Sequence, residues 1–213
     1  MMSAIFFNLI LILISLSAAI TTTIFLASPI YQLFNQWQDL ASPVGLSYQQ
    51  LMMDFDGMMD YLINPWQPNL SFAHFSASSG GLQHFAEVKN LIQANLILSV
   101  IGLVFLSLYI FRLNKSQSAF YRQASKLSLL FPLVFLALIV IAFDQVFYWF
   151  HRVFFRNDLW LFDPAIDPII NVLPSQLFML YFFIALIGYW LWVIYFRSIL
   201  TLQKQKTKKR KGR

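Results

Sequence analysis

The stretch FHRVFFRNDLWLFDP, from Phe150 to Pro164, gathers His151, Arg152, Arg156, Asp158 and Asp163 in a chain that is only 11% charged. A second ionisable group lies in LQHFAEVKNL, where His84 and Glu87 stand three positions apart and share a face if the segment is helical. An imidazole titrating near about 6.5 moves protons in either direction close to neutral pH, so His84 and His151 suit general acid–base work. A nucleophile is harder to find. The chain has no cysteine, which removes thiolate catalysis and thiolate metal ligation. It also lacks Gly-x-Ser-x-Gly, Ser-x-x-Lys, His-Glu-x-x-His and a glycine-rich phosphate loop. The pattern points to proton transfer on a substrate that carries its own nucleophile.

Several neighbours could support such a pair. Arg152, Asn157, Trp160 or loop amides could donate to a developing oxyanion. Asp163 and Asp167 could orient a histidine, or, each followed by proline, simply form turns. Asp144, Tyr148 and His151 recur at helical spacing, but Asp144 is about 10 Å of helical rise from His151, so Tyr148 or a water would have to mediate. His74 stands outside these groups and reads as surface. Two other classes stay open. A zinc hydrolase would use His84, Glu87 and His151 as ligands, although nothing in their spacing requires it. A transport or assembly subunit would instead use Gln93, Asn95 and Asp144 as intramembrane polar residues that line a path or join helices.

The elements that must hold these residues follow from composition. With 59% hydrophobic and 18% aromatic residues and a mean hydropathy of +0.64, the chain reads as an all-α integral membrane protein and a single membrane domain. About 20 apolar residues span a bilayer. Four windows qualify, at about 4–27, 91–111, 127–149 and 175–196. The first begins MMSAIFF, without a positive n-region and with a long apolar run, and reads as a retained anchor instead of a signal peptide.

Basic residues favour the cytoplasmic side of a membrane. Arg112, Lys115, Arg122 and Lys126 cluster in the short loop 112–126, and Arg197 leads into the tail 197–213. Both termini are therefore expected inside. Segments 28–90 and 150–174 then face outward, carrying His74, His84, His151 and every acidic residue except Asp144. The tail KQKTKKRKGR beside a membrane exit suits contact with anionic lipid and not with nucleic acid.

In the first outer segment, Ser47-x-x-Gln50 has capping-box spacing. Leu51, Phe55, Met58, Met59 and Leu62 recur helically with Asp54, Asp56 and Asp60 between them. This predicts an amphipathic helix, packed as a cap or lying on the membrane, that ends at Pro65. SASSGG, ending at Gly81, reads as loop. The second outer segment alternates Asn157-Asp158, Asp163-Pro164 and Asp167-Pro168 with apolar residues. It reads as a loop that dips back toward the bilayer. Trp149, Phe150, Phe154, Phe155, Trp160 and Phe162 could be an interfacial belt, but the ionisable groups among them are costly near hydrocarbon and mark a site.

HFAEVKNL together with FHRVFFRNDLWLFDPAIDPIINVLPSQLF resembles the paired signatures of the bacterial lipoprotein intramolecular transacylases (Lit), a four-helix membrane family with an extracellular cap. The second block is the specific one: Phe150-His151-x-x-Phe154-Phe155, Trp160, Asp163-Pro164, Asp167 and Pro174 to Phe178. The first block departs from the family pattern, which carries Met-x-Asp where this chain has Phe85-Ala86-Glu87. The resemblance implies a cofactor-independent acyl transfer on diacylglyceryl lipoproteins. The sn-2 chain moves to the α-amine of the N-terminal cysteine, giving the lyso form at the outer face of the cell membrane. His84 and His151 would be the catalytic pair, their order as base and acid left open, and an acyl-imidazole intermediate is an alternative to direct transfer. Phe150, Phe154, Phe155 and Phe162 would wall the substrate pocket, supported by Glu87, Tyr148, Arg152, Asn157, Trp160, Asp163 and Asp167.

Overall fold

A computed structural model describes residues 2–210, with side chains as far as Leu202. The side chains of the basic tail beyond that point, expected to meet lipid, lie outside the described residues. Seven α-helices follow one another among the described residues: α1 (Ala4–Phe25), α2 (Ala27–Gln38), α3 (Tyr48–Ile63), α4 (Ser79–Phe111), α5 (Lys115–Ala124), α6 (Phe131–Phe154) and α7 (Ser175–Arg210). No strand occurs among the described residues, as an all-α fold requires. Among the described residues, four stretches are long and apolar enough to cross a membrane: Ala4–Phe25, Ser79–Phe111, Lys115–Phe154 and Ser175–Leu202.

The chain packs as two units, one comprising residues up to Thr23, Asn95–Leu138 and residues from Phe183, the other Ile24–Ala94 and Ile139–Phe182. In the first, Phe7, Leu11, Leu106, Ile110, Tyr121 and Tyr189 form a buried core. Polar groups in such surroundings have no water to turn to, and several are paired across helices. Ser128 donates to Asn8 Oδ1 at 2.7 Å, and Tyr189 donates to the carbonyl of Ser128 at 2.7 Å. The Arg197 guanidinium donates to the carbonyl of Arg122 at 3.0 Å and to Ser125 Oγ at 2.7 Å, fastening the end of α5 to α7. Asn95 joins α4 to α1: its amide donates to Thr21 Oγ1 at 3.0 Å and to Ser17 O at 3.3 Å, while Ser17 Oγ donates to the Asn95 carbonyl at 3.2 Å. Asn95→Leu should therefore cost about 1 kcal/mol, measured as a lower unfolding temperature in detergent.

The second unit holds α2, α3, the start of α4 and the end of α6. The Ser47 capping box forms as the sequence suggests: the Gln50 amide donates to Ser47 Oγ at 3.3 Å, and Gln50 Oε1 accepts the Ser47 amide at 2.9 Å. Leu51, Phe55, Met58, Met59 and Leu62 of α3 are buried against Tyr31, Phe85, Ile169 and Val172. Tyr31 stacks on Phe55 with centroids 3.7 Å apart and donates to Val172 O at 3.0 Å. The helix stops at Ile63, ahead of Pro65, whose ring disfavours helical geometry before it. Its last carbonyls are met from α4, where Gln93 donates to Leu62 O at 2.9 Å and Ile63 O at 2.7 Å, while Lys89 donates to Asn64 O and Gln67 O.

Asp54 does not lie on the polar face of α3 with Asp56 and Asp60. It is 3% exposed and accepts from the amides of Ala73 at 2.6 Å and His74 at 3.0 Å. His74 Nδ1 lies 3.1 Å from the same carboxylate, so that histidine fastens the segment before α4 to α3.

Candidate active site

His84 lies in the second turn of α4, which begins at Ser79 within the stretch expected to be loop. The cause is a cap that the local composition does not reveal. Ser78 Oγ accepts the Gly81 amide at 2.9 Å and donates to Asp167 Oδ2 at 2.8 Å, while the Ser78 amide donates to Asp167 Oδ1 at 2.6 Å. The Asp167 carboxylate thus sits at the amino end of α4, where the helix dipole favours negative charge. Gly81 makes room for it: a Cβ there would fall 2.5 Å from Asp167 Oδ1.

His151 sits in the last turn of α6, a helix interrupted at Ala142 (φ −148°, ψ 48°) and regular from there to Phe154. Its Nδ1 is 2.8 Å from the carbonyl of Phe147. A carbonyl only accepts, so Nδ1 carries the proton and the neutral ring keeps its lone pair on Nε2. His84 and His151 are 6% and 8% exposed, and their ring centroids are 5.9 Å apart. Aromatic rings enclose them: Phe155 and Phe162 lie 4.7 and 5.6 Å from His84. Trp160 stacks on His151 at 4.7 Å and Phe147 approaches it to 4.3 Å.

Beside His84 on α4, Glu87 Oε1 accepts the Asn157 amide at 2.8 Å. Asn157 also accepts the Leu159 amide on Oδ1 and the Trp160 indole N–H on its carbonyl, both at 3.1 Å. One asparagine therefore sets the loop, the indole that stacks on His151 and the carboxylate near His84. His84 Nδ1 and Glu87 Oε2 are buried without a hydrogen-bond partner among the described residues.

The remaining expected residues divide by position. Phe155 and Phe162 line the histidine pair, and Phe150 touches His151 at 5.4 Å while staying 36% exposed. Phe154 is 52% exposed and contacts Phe150, not a histidine. Arg152 pairs with Asp158 at 2.8 Å, both side chains well exposed, where an ion pair contributes little. Tyr148 packs against Trp160, the ring that stacks on His151, with centroids 5.7 Å apart. Asp144 is exposed. Asp163 is an exposed turn former whose carboxylate accepts the Ala165 amide at 2.9 Å, and Asp167 serves Ser78 instead of an imidazole. Ser78, Gly81 and Phe147 were not singled out by the sequence; only Phe147, four positions before His151, had a signal there.

Among the described residues, no three His, Asp or Glu side chains converge as metal ligands would. The zinc set of His84, Glu87 and His151 is therefore not assembled here.

The family model for lipoprotein intramolecular transacylase Lit matches residues 5–178. An in meso structure of the membrane-integral lipoprotein intramolecular transacylase Lit from Bacillus cereus superposes with a TM-score of 0.75 at 21% identity, over 97% of this chain and 98% of that one. Two structures of the same enzyme with a histidine replaced by arginine or by alanine give TM-scores of 0.69 and 0.70, each at 21% identity, over 99% and 97% of this chain and 95% and 96% of theirs. This likeness is one of fold. No curated protein matches the sequence.

Proposed function

The chain belongs to the family of lipoprotein intramolecular transacylases, which are acyltransferases, and we propose that it moves the sn-2 acyl chain of a diacylglyceryl lipoprotein onto the α-amine of its N-terminal cysteine. The observation that carries this reading is the meeting of two buried histidines, one from α4 and one from α6, within aromatic walls. The amine nitrogen attacks the ester carbonyl, an N–C bond forms, and the C–O bond to glycerol breaks. One proton leaves the nitrogen and one reaches the glyceryl oxygen, so product and substrate have the same composition. His84 and His151 carry that proton between them, and no enzyme nucleophile or cofactor is needed.

Closing amine onto ester forms a ring of roughly eight atoms, so ordering the flexible substrate is a large part of the work. Phe155, Trp160 and Phe162 supply walls for it and exclude water, whose attack would release a fatty acid. The basic residues around 112–126 and at Arg197 support cytoplasmic termini, with the site on the outer face of the cell membrane beneath a cap formed by α2, α3 and the 155–172 loop.

The test is mass spectrometry of the N-terminal lipopeptide of a reporter lipoprotein, made with and without the protein. The expected result is conversion from diacylglyceryl to N-acyl, monoacylglyceryl cysteine at unchanged total mass. Loss of an acyl chain would indicate a hydrolase, and an unaltered lipopeptide beside folded protein would sink the reading.

A further inference from the structure

Two buried polar atoms near the start of α4 have no hydrogen-bond partner among the described residues. Glu87 Oε2 has no partner, although Oε1 of the same carboxylate is held by Asn157 at 2.8 Å. His84 Nδ1 has none either, and in the tautomer that carries its proton on Nε2 this atom is also an acceptor. The residues are three positions apart on a helix, which brings their side chains to one face. No hydrogen bond joins them, so neither satisfies the other. A buried carboxylate oxygen without a donor is costly, and Asn157 answers only half of it. The missing group must offer at least two N–H or O–H bonds to adjacent acceptors, and preferably a positive charge.

We propose that Glu87 Oε2 and His84 Nδ1 form the docking site for the protonated α-amine of the substrate. The inference rests on the acyl-transfer reading and adds to it the recognition of the nucleophile. An ammonium has three N–H bonds on one centre, so it can donate to both acceptors at once, and its charge is matched by the carboxylate. Docked there, it gives one proton to His84 Nδ1. That leaves a neutral amine still hydrogen-bonded to Glu87, its lone pair free to attack the ester. His84 is thereby the base, and Asn157 is a positioning residue that acts through Glu87 Oε1. The site also gives specificity: an amine already acylated offers one N–H and no charge, so product is held less tightly than substrate.

The test compares two unreactive probes on the full-length protein in detergent: a cysteinyl peptide carrying a diether glyceryl group and a free α-amine, and the same peptide without the amine. Wild type should bind the amine probe about 10-fold more tightly or better, as a charge-assisted hydrogen bond implies. Glu87→Gln should erase that preference while leaving affinity for the amine-free probe unchanged, which also reports that the variant is folded. Asn157→Ala should reduce the preference without removing it. If both probes bind wild type equally, or Glu87→Gln keeps the preference, amine docking is overturned and acyl transfer still stands. If neither probe displaces a reporter lipopeptide from wild type, both proposals fall.

Discussion

Replacing either His84 or His151 with alanine is expected to lower acyl transfer by about 100- to 10,000-fold, the range for a lost general acid or base, with the protein still folded. The two rings differ in preparation. The His151 proton is fixed on Nδ1 by the carbonyl of Phe147, one turn back on α6. Its Nε2 is therefore the working atom, and Trp160 stacked on the ring holds its plane. His84 keeps Nδ1 free and is enclosed on two sides by Phe155 and Phe162. If the pair shares one proton transfer, the double variant should be little worse than the more damaged single one, because groups acting as a unit are strongly non-additive. The measurement is the rate of lyso-form appearance on the reporter lipopeptide, with thermal unfolding run in parallel. Activity retained in either single variant would remove that histidine from the chemistry and revive the transport or assembly class, in which the outer histidines are dispensable.

What the sequence made legible follows from how local each signal is. Four apolar stretches, the Ser47 capping box and the buried stripe of α3 depend on residues within a few positions of one another, and each is present in the fold. His84 and His151 stood out because ionisable groups are scarce in such a chain. The partners that give those histidines their setting come from far away. Asn157 reaches Glu87 across the chain, and Asp54 is buried because amides from the segment before α4 surround it. Composition cannot reveal either. The start of α4 misled for the same reason: SASSGG is loop-like by itself, and its helical end is made by an aspartate from another segment. Nothing in the neighbouring sequence explains the break in α6 at Ala142.

That aspartate yields the second large effect. Asp167 is 6% exposed, and its carboxylate accepts both the amide and the hydroxyl of Ser78, while the same hydroxyl caps the Gly81 amide. Asp167→Ala would strip the first turn of α4 of its anion and leave the Ser78 amide without its acceptor. Hydrogen bonds to a charged group contribute about 1.5–3 kcal/mol, and the dipole term adds some tenths to 1 kcal/mol or so, so a loss of about 3 kcal/mol is expected, read as a lower unfolding temperature. Activity should fall further than stability alone explains, because His84 lies in the turn that follows and catalytic geometry tolerates little displacement. Asp167→Asn should recover part of the stability, since its amide oxygen can still accept from Ser78. Gly81→Ala tests the same contact from the other side. Its added methyl would occupy the space of Asp167 Oδ1, so it should lower activity in the same direction, and in an Asp167→Ala background, where that space is empty, it should do little more. Independent, additive losses in the double variant would show that Asp167 and Gly81 do not act through one contact, and the carboxylate would then have some role other than holding the start of α4.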